Sequence, residues 1–318
     1  MAKIALVADI GATNSNFGIA RIGKKIEIIL KHRYESKGDF IGLLSNFLSF
    51  AGKNHLTPRI GCIAVAGPVI NQRVEMVNTK MVVGAMEIKR KTQLKKVLII
   101  NDFEAIGYSL NVMGKRDIKI INRGKQIGNR PKAVIGAGTG IGKGIAIYDN
   151  HLEAYIPYPS EGGHGDFPIM NEEELKLARF IGKGVCYEDL VSGRGIESIY
   201  QFLKQTKHQK SPNLSAQEIS KTRKTNYCSR EAFDLFAIFY ARCARNFALE
   251  VLPFGGIYIA GGIAMKNPDI FSRKFTKEFC NNEAFSRLLS TIPIFLITNY
   301  DISLKGAAFA VRSYITLS

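Results

Sequence analysis

The sequence predicts a two-lobed α/β protein, and three observations carry that prediction. A chain of 318 residues exceeds the usual size of one domain and suggests two lobes with a sizeable core. Short apolar runs rich in β-formers alternate with helical patterns along most of it. The alternation falls into two successive sets, and each set carries a glycine-rich turn at the equivalent place.

In the first set, KIALVA (3–8) is a strand, and FGIARI (17–22) with IEIILKHRY (26–34) forms a hairpin turning at Gly23 to Lys25. DFIGLLSNFLSF (39–50) has helical spacing with Asp39 at the N-cap. GCIAVAG (61–67) and KVLIIND (96–102) are buried-strand candidates, with a helical pattern running on from Phe103. In the second set, AVIGAG (133–138), KGIAIYD (143–149) and AYIPY (154–158) are strands. NEEELKLARFI (171–181) is a helix with Asn171 as N-cap and Glu174 placed for a near capping box. The stretch 229–252 predicts a long helix, with Phe233, Phe236, Tyr240, Cys243 and Phe247 at three- and four-residue spacing. IYIAGG (257–262) is a strand and turn.

The two turns are DIGATN (9–14) and GAGTGIG (136–142), each between two strands. Glycine permits positive φ and close backbone approach, so successive N–H groups can converge on an anion. No frame of GAGTGIGKG matches G-x-G-x-x-G, and strand rather than helix follows, which excludes a dinucleotide-binding turn. No glycine stands five residues before a Gly-Lys-Ser/Thr, which excludes a Walker A loop. One such turn is commonly a plain hairpin; two, one of them led by an acid at a strand end, point to a nucleotide cradle between two lobes. Asp9 would then bind water on Mg²⁺, which favours carboxylate oxygens and keeps several waters.

The hydrophobic fraction is 46% and the mean hydropathy is about zero, which describes an ordinary soluble protein. The longest apolar runs, such as IPIFLI (292–297), are too short to cross a bilayer. The N-terminus lacks the apolar region and cleavage site of a signal peptide, so a cytoplasmic location is expected. Cys62, Cys186, Cys228, Cys243 and Cys280 form no CxxC pair and no Cys/His cluster, and are expected to be reduced, largely buried thiols. The net charge is +17. Basic residues concentrate at 115–132 and 204–230 without any nucleic-acid-binding motif, so these stretches are expected to be solvated loops rather than a nucleic-acid surface.

VADIGATN, the VAGPV…VEMVNTK stretch (65–80), INDFEA (100–105), GAGTGIG, PSEGGHGDF (159–167), EDLVSGRGIESIY (188–200) and FGGIYIAGGI (254–263) together resemble the bacterial glucokinases of the actin/hexokinase superfamily. The likeness covers nearly the whole chain in the same order. In the related ROK sugar kinases a cysteine-rich zinc segment usually follows the histidine equivalent to His164. Here GDFPIMNEEE follows it, which argues against a ROK member and against metal at His164.

The resemblance implies ATP-dependent transfer of a phosphoryl group to the 6-hydroxyl of glucose, the first step of glycolysis, with ATP and Mg²⁺ as cofactors. Asp102 is similar to the family's catalytic carboxylate and would act as general base; by position it is also a candidate helix N-cap. Asn101 with Asp102 would bind the 3- and 4-hydroxyls, and Glu161, His164 and Glu188 the 1- and 2-hydroxyl side. Asp166 is assigned to loop hydrogen bonding. Asp9, Gly11, Ala12, Thr13 and Asn14 in the first turn, and Gly138, Thr139 and Gly140 in the second, resemble the phosphate loops; Gly261 and Gly262 resemble the adenosine turn. Ala12 stands where the family more often has glycine, Arg194 replaces a commoner proline, and Gly165 takes the place of a larger apolar residue.

The implied fold is of ribonuclease-H-like (actin/hexokinase) type, two α/β lobes around a central cleft. The small lobe would be 1–111 completed by the C-terminal helix within 301–318, and the large lobe 112–300. The family is commonly homodimeric; no membrane or nucleic-acid partner is expected. The alternatives are a kinase for another hexose, or a catalytically weak sugar-responsive regulator or binding protein, which the charge of +17 would suit.

Overall fold

The computed structural model describes residues 3–76, 79–182, 184–209 and 212–317; Val77 and Asn78 of the 74–80 motif lie outside these. The strands are β1 (Lys3–Ile10), β2 (Asn14–Ile22), β3 (Ile26–Glu35), β4 (Ile60–Val65), β5 (Arg73–Glu75), β6 (Val82–Gly84), β7 (Lys96–Asn101), β8 (Ile118–Asn122), β9 (Lys132–Ala137), β10 (Ile141–Asp149), β11 (Ala154–Ser160), β12 (Ile257–Ala260) and β13 (Ile294–Ile297). The chain divides into two compact units. One comprises Met1–Lys115, Tyr148–Pro159 and Asn299–Ser318, and the other Arg116–Ile147 and Ser160–Thr298.

The first unit is built on a sheet of order β3-β2-β1-β4-β7. The β1–β2 and β2–β3 pairs are antiparallel hairpins, whereas β4 and β7 run parallel to β1. Parallel strands need covering on both faces, and both are covered. Phe40, Leu44 and Phe47 of the helix Phe40–Lys53 join one apolar cluster with Leu6, Ala8 and Phe17. Leu304, Ala307, Ala308 and Val311 of the helix Ile302–Leu317 join another with Ala5, Val7 and Cys62. A Cβ at Gly306 would run into the Ala105 carbonyl, so a residue without one lets this helix approach Asp102–Ser109 closely. The Asp39 cap forms as expected, accepting from Gly42 N–H at 2.7 Å.

One stretch departs from the expected boundaries at 111 and 300, because Tyr148–Pro159 belongs with the first unit. Asn111 explains it. Its side-chain carbonyl accepts from Tyr155 N–H at 2.7 Å and its amide donates to the Tyr155 carbonyl at 2.9 Å, which mimics a strand pairing.

In the second unit β10, β9, β12, β13 and β8 lie side by side in that order. β9–β10 is antiparallel, while β9, β12 and β13 are parallel, so the hairpin-then-parallel pattern of the first unit recurs. The long helix spans Tyr227–Val251 and begins two residues earlier than its apolar spacing suggests, because Asn226 caps it by accepting from Ser229 N–H. It buries Phe233, Phe236, Tyr240 and Phe247 as expected. The basic stretches are not the loops expected. Residues 118–122 form β8, which pairs with β13, and 216–222 form a helix capped by Ser215. Cys62, Cys228 and Cys243 are buried, Cys186 and Cys280 partly so, and all five are free thiols.

Candidate functional site

In the first unit, two carboxylates sit at the carboxyl ends of parallel strands, the edge where open α/β sheets bind ligands. Asp9 is the penultimate residue of β1 and lies opposite Ala64 of β4. Asp102 directly follows β7, whose last residue Asn101 lies opposite Val65 of β4. With β4 between them the two acids are two strand spacings, about 10 Å, apart across the sheet, and Asp102 lies two residues beyond the level of Asp9 along the strands. Burial pushes the Asp9 carboxyl above its ordinary range, and the Ser303 hydroxyl, donating to it at 2.5 Å, pulls the other way. The serine was absent from the expected site, since nothing local marks a contact 294 residues distant.

Asp102 is not the helix cap. Asn101 takes that role, its side-chain carbonyl accepting from Phe103 and Glu104 N–H at 2.8 and 3.3 Å, while Glu104 answers with a bond from Asn101 N–H. Capping by the preceding residue leaves the Asp102 carboxylate as the first helical side chain, with Oδ1 also accepting from Phe103 N–H. Asn101 is buried, and one of its amide hydrogens goes to the Gly67 carbonyl. An amide carries two hydrogens, and among the described residues only the Gly67 carbonyl takes one of them.

The first turn is tied down by Ser36, whose hydroxyl donates to the Gly11 carbonyl at 2.6 Å and whose N–H donates to Thr13 at 3.0 Å. Among the described residues Gly11, Ala12, Thr13, Asn14, Gly138, Thr139 and Gly140 all have negative φ. The turns therefore do not use glycine for left-handed backbone, and Ala12 is accommodated without strain. Space is what the second turn needs. A Cβ at Gly140 would collide with Glu188 Oε2.

The second unit gathers the remaining predicted residues around that turn. Gly138 accepts from Gly193 N–H at 2.9 Å at the start of the helix Gly193–Thr206. Gly261 has φ of +95°, and a Cβ there would strike the Ala137 carbonyl, so only glycine suits this position beside the second turn. Gly262 opens the helix that follows. Glu161 and His164 bracket a 3₁₀ turn, Gly162–His164, and both side chains are exposed. The backbone of this loop runs beside 185–187. Tyr187 N–H donates to Gly165 and Phe167 N–H to Val185, both at 3.0 Å. Asp166 hydrogen-bonds as expected of it, but through a backbone bridge to Cys186 rather than through its exposed carboxylate. Gly165 has ordinary φ and donates to the Gly162 carbonyl.

Ile141 joins the parts. Its N–H donates to Glu188 Oε2 at 3.2 Å, and its carbonyl occupies the space where Gly163 would carry a Cβ. The second glycine turn, the Glu161–His164 loop and Glu188 thus meet at residues 140–141.

The glucokinase family model matches residues 6–314 of the chain. The chain belongs to the glucokinase family. A glucokinase of Nostoc sp. (strain PCC 7120) is 34% identical, with 96% of this chain and 98% of that protein covered. The crystal structure of a glucokinase from an Antarctic psychrotroph superposes with a TM-score of 0.84 at 26% identity, covering 98% of this chain and all of that one. A ROK family glucokinase from Streptomyces griseus, solved with glucose and AMPPNP, shares the fold at a TM-score of 0.67 and 17% identity, covering 98% and 100%. Glucokinase family membership makes the chain an ATP-dependent hexose kinase and does not favour a sugar-responsive regulator.

Proposed function

We propose that this chain phosphorylates glucose with Asp102 as the general base. The reaction, transfer of the ATP γ-phosphoryl group to the 6-hydroxyl of glucose, is that of the family to which it belongs. Phosphoryl transfer asks a protein for positioning and charge stabilisation more than for covalent chemistry. Asp102 takes the proton of the 6-hydroxyl as that oxygen attacks. Asn101, through its remaining amide hydrogen, and Asp102 hold the 3- and 4-hydroxyls; Glu161, His164 and Glu188 hold the 1- and 2-hydroxyl side. Gly11 to Asn14 and Gly138 to Gly140 receive the phosphates, and Gly261 with Gly262 the adenosine.

Among the described residues no three His, Cys, Asp or Glu side chains are grouped to hold a metal. Mg²⁺ fits here as it fits nucleotide sites generally, through one carboxylate, waters and phosphate oxygens. Asp9 is the residue that would hold it, by way of water, and the ion when bound neutralises charge on the β- and γ-phosphates.

The observation that carries this reading is the pairing of Asp102 with Asp9 on one sheet edge, one strand apart. The test is a coupled ADP-release assay over glucose, mannose, fructose and N-acetylglucosamine, with ATP, ADP and polyphosphate as donors. Glucose with ATP should give the highest kcat/KM, and turnover should depend on added Mg²⁺. A higher kcat/KM for another hexose would overturn the substrate assignment.

A further inference from the structure

Arg194 occupies the first turn of the helix Gly193–Thr206 and points back toward the second glycine turn. Its Nη2 donates to Glu188 Oε1 at 2.9 Å, while Oε2 of the same carboxylate accepts from Ile141 N–H at 3.2 Å. Both oxygens are therefore held, one by a mobile charge and one by fixed backbone. Each keeps a further lone pair for a hydroxyl donor. The Glu188 side chain is only 18% exposed, against 64% for Arg194, so the cation reaches in from solvent to a carboxylate packed against Gly140.

We infer that Arg194 is a positioning residue for sugar recognition, fixing the Glu188 carboxylate in one orientation before the sugar arrives. The inference rests on the proposed role of Glu188. A glutamate side chain left to itself samples many rotamers, and ordering it on binding would weaken the affinity. The guanidinium removes part of that cost in advance. An ion pair with one partner so exposed adds little to folding stability, so its effect is expected in binding rather than in melting temperature. A proline at this position would have no side-chain donor with which to do this.

The experiment is steady-state kinetics on the full chain for Arg194→Ala, Arg194→Lys, Arg194→Pro, Glu188→Gln and the Glu188→Gln/Arg194→Ala double variant, with melting temperatures checked for each. Arg194→Ala and Arg194→Pro should raise the glucose KM by roughly three- to fivefold, the upper end of what an exposed ion pair is worth. Their kcat and ATP KM should stay within about twofold of the parent's, a change too small to signal a lost hydrogen bond. Arg194→Lys should recover most of the affinity. In the Glu188→Gln background, Arg194→Ala should have little further effect, since coupled residues do not act additively. An unchanged glucose KM in Arg194→Ala, an equal rise in the ATP KM, or full additivity in the double variant would overturn the positioning role while leaving that of Glu188 intact. An unchanged glucose KM in Glu188→Gln would overturn both.

Discussion

Ser303 donates its hydroxyl to Asp9 at 2.5 Å, so the C-terminal helix supplies a partner to the acid at the end of the first strand. Burial and this bond act on the carboxyl in opposite directions, and burial is the stronger. An acid whose folded pKa is raised binds more protons folded than unfolded between its ordinary value, about 3.9, and the raised one. Stability therefore falls as pH rises through that window, and the deficit persists at neutral pH.

Asp9→Asn removes the charge and keeps an acceptor for Ser303. The variant should melt a few degrees higher than the parent at pH 7, with the difference closing as pH falls toward 4. It should also lose most phosphoryl transfer. Thermal melts across pH would check this, and a variant less stable than the parent at pH 7 would contradict the assignment of burial as the dominant influence on Asp9.

The fold was largely readable from local pattern because its signals are local. Alternation and apolar runs mark the strands, and Asp39 and Asn171 mark helix starts that the structure retains. Signals that depend on tertiary partners were not readable. β8 lies in a basic stretch, and only pairing with β13 makes it a strand. The assignment of Tyr148–Pro159 rests on one asparagine, Asn111, bonding the Tyr155 backbone. At the site, the family motifs pointed to Asp102 and Glu188, but which residue caps the helix at 101–102 depended on which side chain turns back toward the Glu104 N–H. The contact of Glu188 with Gly140 and Ile141 joins residues nearly fifty positions apart and has no local signature.

His164 is exposed on the loop beside Glu161, and we propose that it binds the anomeric side of the sugar. His164→Ala should raise the glucose KM by roughly tenfold or more, the loss of one or two hydrogen bonds. The ATP KM should change much less. Equal effects on both constants would count against a sugar-binding role.

Stability of the second unit leans on a buried charge network. Arg242 donates to Glu174 at 2.7 Å and to Glu278 at 2.8 Å, with Glu174 only 5% exposed. Arg242→Ala would leave buried Glu174 without its cation and Glu278 with only Arg245 at 3.6 Å, and should cost about 3–5 kcal/mol. Urea denaturation monitored by far-UV circular dichroism measures this. A loss below about 1 kcal/mol, the value of a surface pair, would mean that solvent reaches the network.

The most direct test of the central claim separates turnover from sugar binding in one variant. Asp102→Ala should lower kcat by roughly 100-fold or more, the usual contribution of a positioned general base, while calorimetry still detects glucose binding. Retention of most turnover in Asp102→Ala would contradict the account.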